Sequence, residues 1–198
     1  MQAVLIAAAA VVTYVPAMSG KFIWDDRQFI VDHPDVAQAD GIWHIWLAPS
    51  EGHYRPLTNT LFWVQRRIWG ENPRGYHLAT IALHAIGCLL VWRLAERLKL
   101  PGGFLAGLLF AVHPVNVASV AWAVEQKNTL SLIFYLLALS AFVRFIDTRA
   151  RRPWAQSLAF YVLALLAKTS VVMLPPVLLL VWWWKERRVG WAALRATL

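Results

Sequence analysis

Asp25 and Asp26 stand side by side in FIWDD, just after a stretch from Ala3 to Met18 that carries no formal charge. Carboxylates are the residues of general acid–base work when they are held within reach of a reacting proton. Adjacent side chains point different ways in a helix or strand, so adjacency alone builds no two-carboxylate site, and the pair reads equally as a helix cap or an interfacial marker. Lys168, in LLAKTS, is an ammonium between two apolar half-helices, where it is unfavourable unless it meets an anion or water or snorkels to the interface. Arg55, in YRPL, is placed to pair with Glu51 or with an anion. Glu125 and Lys127, in EQKN, suit a mutual pair or a site. His77 and His84 are seven apart and share one helical face; they could bind metal, but no carboxylate stands at matching spacing, and hydrogen bonding to neighbouring helices is the alternative. His113 precedes Pro114, where a helix-end hydrogen bond is the plainer role.

The elements that must position these residues are membrane elements. A composition of 59% hydrophobic and 15% charged residues, with mean hydropathy +0.50, lies outside soluble usage. Twelve Trp point the same way, because the indole favours the membrane interface. Cys88 is the single cysteine, which excludes a disulfide framework and a thiolate metal cluster. The net charge of +8 comes in short groups between apolar stretches, with no contiguous basic face, so no nucleic-acid partner is expected.

A spanning helix needs roughly 17 to 25 apolar residues. The first candidate runs from about Ala3 to Met18. Ala17 and Ser19 would suit a signal-peptide cleavage site, but no Lys or Arg precedes the segment, and an uncleaved span is the preferred reading. The second runs from about Tyr76 to Leu94. The third runs from Gly102 to Pro114, which must end or kink it, and Thr129 to Ile146 makes the fourth. Trp154 to Trp184 would measure roughly 46 Å as one helix, too long for one crossing. Lys168, Pro175 and Pro176 interrupt it, so two short helices in a hairpin are expected. Gly103 and Gly107 form a small-xxx-small pattern that permits close helix approach.

With six spans and a cytoplasmic N-terminus, the inner connections hold Arg93, Arg97, Lys99, Arg144, Arg149, Arg151, Arg152, Lys185, Arg187, Arg188 and Arg195, eleven of the nineteen basic residues. Eight of the eleven acids and all six His lie in the outer half or near it. Chemistry is therefore expected on the extracytoplasmic face. Residues 21–75 form the first outer loop. In it PLTNTLFWVQRRIWG starts on Pro56 and repeats Leu57, Leu61, Val64 and Ile68 at helical spacing, the pattern of an amphipathic helix lying in the interface.

FIWDD, HYRPLTNTLFW, WGENPRGYHLATIALHA, LLFAVHPVNVASVAWAVEQKNTLSLIFYLLAL and LALLAKTSVVMLPPVLLL follow one another in this order from about Phe22 to Trp184. Together they resemble the membrane region of the GT-C glycosyltransferases, specifically bacterial relatives of the transmembrane and TPR repeat-containing O-mannosyltransferases. The resemblance implies an all-α polytopic membrane protein of about six spans, with 1–198 a single transmembrane domain forming the N-terminal part of a larger GT-C module. It implies transfer of a sugar from a polyprenyl- or dolichyl-phosphate donor to a protein or glycan acceptor, by an inverting single displacement, at the periplasmic face of a bacterial inner membrane. Asp25 would then be the base and Asp26 an acceptor or metal partner. Arg55, Lys127 and Lys168 would hold the donor phosphate, and His113 corresponds to the family's HP motif, with His77 and His84 as further candidates. Asp26 and Glu125 would share a divalent cation, Mg2+ or Mn2+. Ala118 replaces an acid usual in relatives, Thr80 stands where Asn is common, and relatives continue through several more spans. A catalytically inactive scaffold or lipid-binding protein of the same fold is the alternative; a transporter would carry its ionisable groups at mid-membrane depth.

Overall fold

The computed structural model describes residues 1–49 and 54–187, and among these all regular structure is helical. Glu51, His53, Arg188 and Arg195, used in the charge pattern above, lie outside the described residues. The helices are α1 (Gln2–Tyr14), α2 (Pro34–Ala37), α3 (Gly41–Leu47), α4 (Pro56–Trp69), α5 (Pro73–Arg97), α6 (Gly103–Val112), α7 (Val117–Ala121), α8 (Gln126–Thr148), α9 (Arg151–Ala167) and α10 (Leu174–Glu186), joined by short 3-10 and π turns. Among the described residues, three stretches are long and apolar enough to cross a membrane: Gln2–Ser19, Pro73–Arg97 and Ala123–Thr148. The third span of the sequence is instead a bent pair, Gly103–Val112 and Pro114–Ala121, with 50° between them, as expected where Pro114 removes a helical N–H donor.

α9 and α10 have 17 and 13 residues, short of a full crossing by length. They nevertheless run up and back beside α8. Ser157 Oγ donates to Ala138 O at 2.9 Å midway, Lys168 reaches Asn128 at the start of α8, and Arg149 after α8 pairs with Glu186 at 2.9 Å. The break falls at Lys168, whose extended backbone (φ −157°) ends α9. Pro175 and Pro176 do not interrupt the segment. They lie in the first turn of α10, where missing N–H groups leave no bond unmade.

Close packing at glycine joins the first three spans. A Cβ on Gly107 would lie 2.8 Å from Trp92 Cβ and 3.0 Å from Ile6 Cδ1, so only glycine admits α6 so near α5 and α1. Ile6, Ala10, Ala85, Cys88, Trp92 and Ala111 form that core. α5 and α8 run parallel, because Gln126 Nε2, at the start of α8, donates to Tyr76 O near the start of α5 at 2.8 Å.

α4 is turned inside out relative to a soluble protein. Its buried face carries Thr58, Asn59, Phe62 and Gln65, while Val64 and Ile68 are exposed. Gln65 and Gln126 exchange amide hydrogen bonds of 2.7 and 3.2 Å, and Thr58 Oγ1 donates to Ala167 O at 2.9 Å. Buried polar groups need such partners.

Candidate functional site

The segment after α1 sends its two aspartates in opposite directions. Trp24 has φ +45°, in the left-handed region that costs a non-glycine residue roughly 1–2 kcal/mol, and its ring packs edge-on against Trp122 at 5.2 Å. Asp26 follows with its side chain fully buried. Its Oδ2 accepts from Ile23 N at 2.9 Å and its Oδ1 from Val124 N at 2.7 Å; the Trp122 indole lies close by without completing a hydrogen bond. Burial outweighs these N–H bonds and pushes the Asp26 carboxyl above its usual range, with a small addition from the neighbouring Asp25. Asp26 is thus a clamp between the first outer segment and the start of α8.

Asp25 is exposed and lines a cavity of about 600 Å3. Arg55, Lys127, Lys168 and Thr169 line the same cavity, with Phe29 and Tyr54 as aromatic walls. Local structure explains how cations from three regions meet. Arg55 immediately precedes α4, Lys168 immediately follows α9, and the Thr58–Ala167 hydrogen bond fastens these two helix ends together. Lys127 is in the first turn of α8, beside the end of the segment that Asp26 clamps. The Arg55 guanidinium also lies 5.2 Å from the centre of the Phe29 ring.

The two lysines are tied into one polar chain. Lys127 Nζ donates to Glu125 Oε1 at 2.6 Å, Asn128 Nδ2 donates to Glu125 Oε2, and Lys168 Nζ donates to Asn128 Oδ1. Both members of the Lys127–Glu125 pair are mostly buried, at 17% and 16% side-chain exposure, so the pair is not a solvated surface bridge. Lys168 is held below the usual lysine range, by burial first; Glu125 acts against that, and the positive charges of Lys127 and Arg55 add to it. Asn128, Thr169, Phe29 and Tyr54 were not singled out from the sequence. For Asn128 a signal existed, since it stands one helical turn after Glu125 in the quoted EQKN.

A smaller cavity of about 290 Å3 shares Lys168. It is polar at Asn128, Ser131 and Ser170 and apolar at Leu132, Tyr135 and Val171. Asn128 to Tyr135 is about 10 Å along α8, so the lining changes from polar to apolar over that rise.

The remaining candidates lie elsewhere. His113 Nδ1 accepts from Val115 N at 3.1 Å and caps the turn after α6. His84 is buried, with Nε2 3.2 Å from Ala111 O and 3.5 Å from Cys88 Sγ, and its ring meets Tyr14 edge-on at 5.1 Å. His77 is buried on the same face of α5, against the backbone of Gly20. None of the three lines the cavity that holds Asp25. The side chains of Asp26 and Glu125 do not fit a ready divalent-cation site: both oxygens of each already accept hydrogen bonds, and no three His, Cys, Asp or Glu among the described residues gather as metal ligands.

Comparison with known proteins bears on this arrangement. Residues 53–197 match the sequence model of the dolichyl-phosphate-mannose-protein mannosyltransferase family. The chain is 34% identical over 173 residues to protein O-mannosyl-transferase Tmtc1 of Drosophila melanogaster, covering 81% of this chain and 20% of that protein. It is 32% identical over 155 residues to TMTC2 of Mus musculus, covering 71% of this chain and 18% of the relative. To TMTC4 of Homo sapiens it is 30% identical over 197 residues, covering 86% and 26%. The chain therefore spans about a fifth to a quarter of the length of these relatives. No solved structure matches it. With a family match that runs through α4 to α10 and includes Arg55, Lys127 and Lys168, the chain is an integral membrane protein that belongs to the dolichyl-phosphate-mannose-protein mannosyltransferase family.

Proposed function

We propose that this chain carries the donor end of a membrane glycosyltransferase site, transferring a sugar from a polyprenyl-phosphate carrier to a protein hydroxyl. The observation that carries the proposal is that Asp25, Arg55, Lys127 and Lys168 line one cavity. Asp25 takes the proton from the acceptor hydroxyl as its oxygen attacks the anomeric carbon. The bond from that carbon to the carrier phosphate breaks, and its electron pair leaves with the phosphate. Displacement from the opposite side inverts the anomeric centre. A positioned base contributes typically about 10²–10⁴-fold to such a step. The three cations stabilise the charge developing on the leaving phosphate. The apolar groove below Lys168 fits the first isoprene units of the carrier, with Lys168 where phosphate and lipid join. The names of the relatives support mannose as the sugar and protein as the acceptor.

The same reading places the cavity at the periplasmic face of a bacterial inner membrane. α6–α7, α9 and α10 complete six crossings, three of them shortened, with the inner loops holding the basic residues. α4 lies in the outer interface with Val64 and Ile68 toward lipid, which accounts for a helix with its polar face inward. A second reading, a non-catalytic protein that binds the carrier lipid, is favoured by the internal pairing of Lys127 with Glu125 and of Lys168 with Asn128.

The test is sugar transfer from radiolabelled polyprenyl-phosphate mannose to a Ser/Thr peptide by purified protein. Asp25→Asn should lower incorporation by at least about 100-fold. Equal incorporation by wild type and Asp25→Asn would remove Asp25 from the chemistry. Donor binding without transfer in the wild type would select the second reading.

A further inference from the structure

We propose a second ligand site at the opposite end of the bundle: a groove that binds the phosphate headgroup of an anionic phospholipid. A cavity of about 750 Å3 opens between the C-terminal halves of α5 and α8 and the first half of α9. Its lining is graded in the same sense on all three helices. Leu90 on α5, Leu137 on α8 and Phe160 on α9 lie toward the middle of the bundle. Arg93 and Arg97 on α5 and Arg144 on α8 lie toward its end, about 5 to 10 Å further along the helix axes. An apolar floor under a basic rim, open at the side of a helix bundle, is the shape of a site for a lipid tail and its phosphate.

The rim has charge to spare. Arg93 is 3.6 Å from Glu96 and its guanidinium lies 4.3 Å from the centre of the Trp92 ring; Arg97 Nη1 donates to Ser140 O at 3.1 Å. One acid therefore faces three guanidinium groups. Arg144 is exposed, and its side chain has no ion-pair or hydrogen-bond partner among the described residues. A guanidinium presents several N–H groups in a fork that matches phosphate oxygens, and contact with a phosphodiester would complete it. None of these residues belongs to the cavity of Asp25, so the groove stands whether or not sugar is transferred.

The test is native mass spectrometry of the protein in neutral detergent, titrated with phosphatidylglycerol or phosphatidylcholine. Arg144→Ala is compared with Arg151→Ala, a basic residue at the same end but outside the groove, and glycerol 1-phosphate serves as the soluble competitor. The wild type should retain phosphatidylglycerol over phosphatidylcholine. Arg144→Ala should lose about fivefold of that retention, the effect of one basic residue near an anionic lipid, and Arg151→Ala should retain it. Equal losses in the two variants would reduce the effect to general charge, and equal retention of the two lipids would overturn the site. Displacement by glycerol 1-phosphate at the concentration of the lipid would make it a site for soluble phosphates and overturn the lipid assignment.

Discussion

Two neighbouring aspartates with different surroundings should answer differently to the same substitution. Asp25→Asn changes an exposed cavity wall and should leave thermal stability unchanged. Asp26→Asn should lower it, because Asn has one acceptor oxygen where Ile23 and Val124 require two. A buried N–H left without a partner costs about 1–3 kcal/mol, read as a lower unfolding midpoint in detergent. The pH dependence has a definite sign. The Asp26 carboxyl is raised in the folded state, so its contribution is fully present below the ordinary carboxylate range and is lost as pH rises through its folded value. The stability advantage of wild type over Asp26→Asn should therefore be largest in acid and shrink as pH rises. A constant difference across that window would contradict the burial of the ionisable group. The sequence placed both residues at the membrane exit but could not divide their roles. The division comes from the backbone at Trp24 and from Val124, 98 residues away from Asp26.

At the scale of elements, α4 gives the clearest test of the solvent around the chain. Its apolar stripe was legible from Leu57, Leu61, Val64 and Ile68, and the structure turns the last two outward. The polar network on the other face was not legible, because Thr58, Gln65 and Gln126 find their partners on α9, α8 and α5. A spin label at Ile68→Cys, in a background with Cys88→Ala, should collide more often with lipid-soluble oxygen than with a water-soluble nickel chelate. The reverse ratio would put that face in water and remove α4 from the interface. Prolines carried a different lesson. Pro114 bends its span as expected, whereas Pro175 and Pro176 open a helix. The same residue breaks or starts a helix according to whether a turn precedes it, and periodicity in a uniformly apolar stretch does not reveal where the turn falls.

For the whole molecule, connectivity gathers the cavity of Asp25 and the groove of Arg93, Arg97 and Arg144 at opposite ends. The spread of Lys and Arg along the chain predicted this separation, and lengths refined it: three continuous helices qualify as spans by themselves, one is bent, and α9 and α10 are short. The proposed orientation can be read by cysteine labelling, again without Cys88. A membrane-impermeant maleimide should modify Asp40→Cys in intact spheroplasts and Arg151→Cys only after lysis. Labelling in the opposite order would invert the protein and place the cavity of Asp25 in the cytoplasm.

The bond from Asp26 to Val124, with the meeting of Arg55 and Lys168 across the Thr58–Ala167 contact, also sets a timetable. During synthesis Asp25 emerges early, yet the partner that fixes its segment arrives with the start of α8, and the last cation of its cavity only after α9. A nascent chain halted before Lys168 carries Asp25, Arg55 and Lys127 but lacks the third cation of the cavity. The site is completed only once Lys168 has followed α9 out of the ribosome.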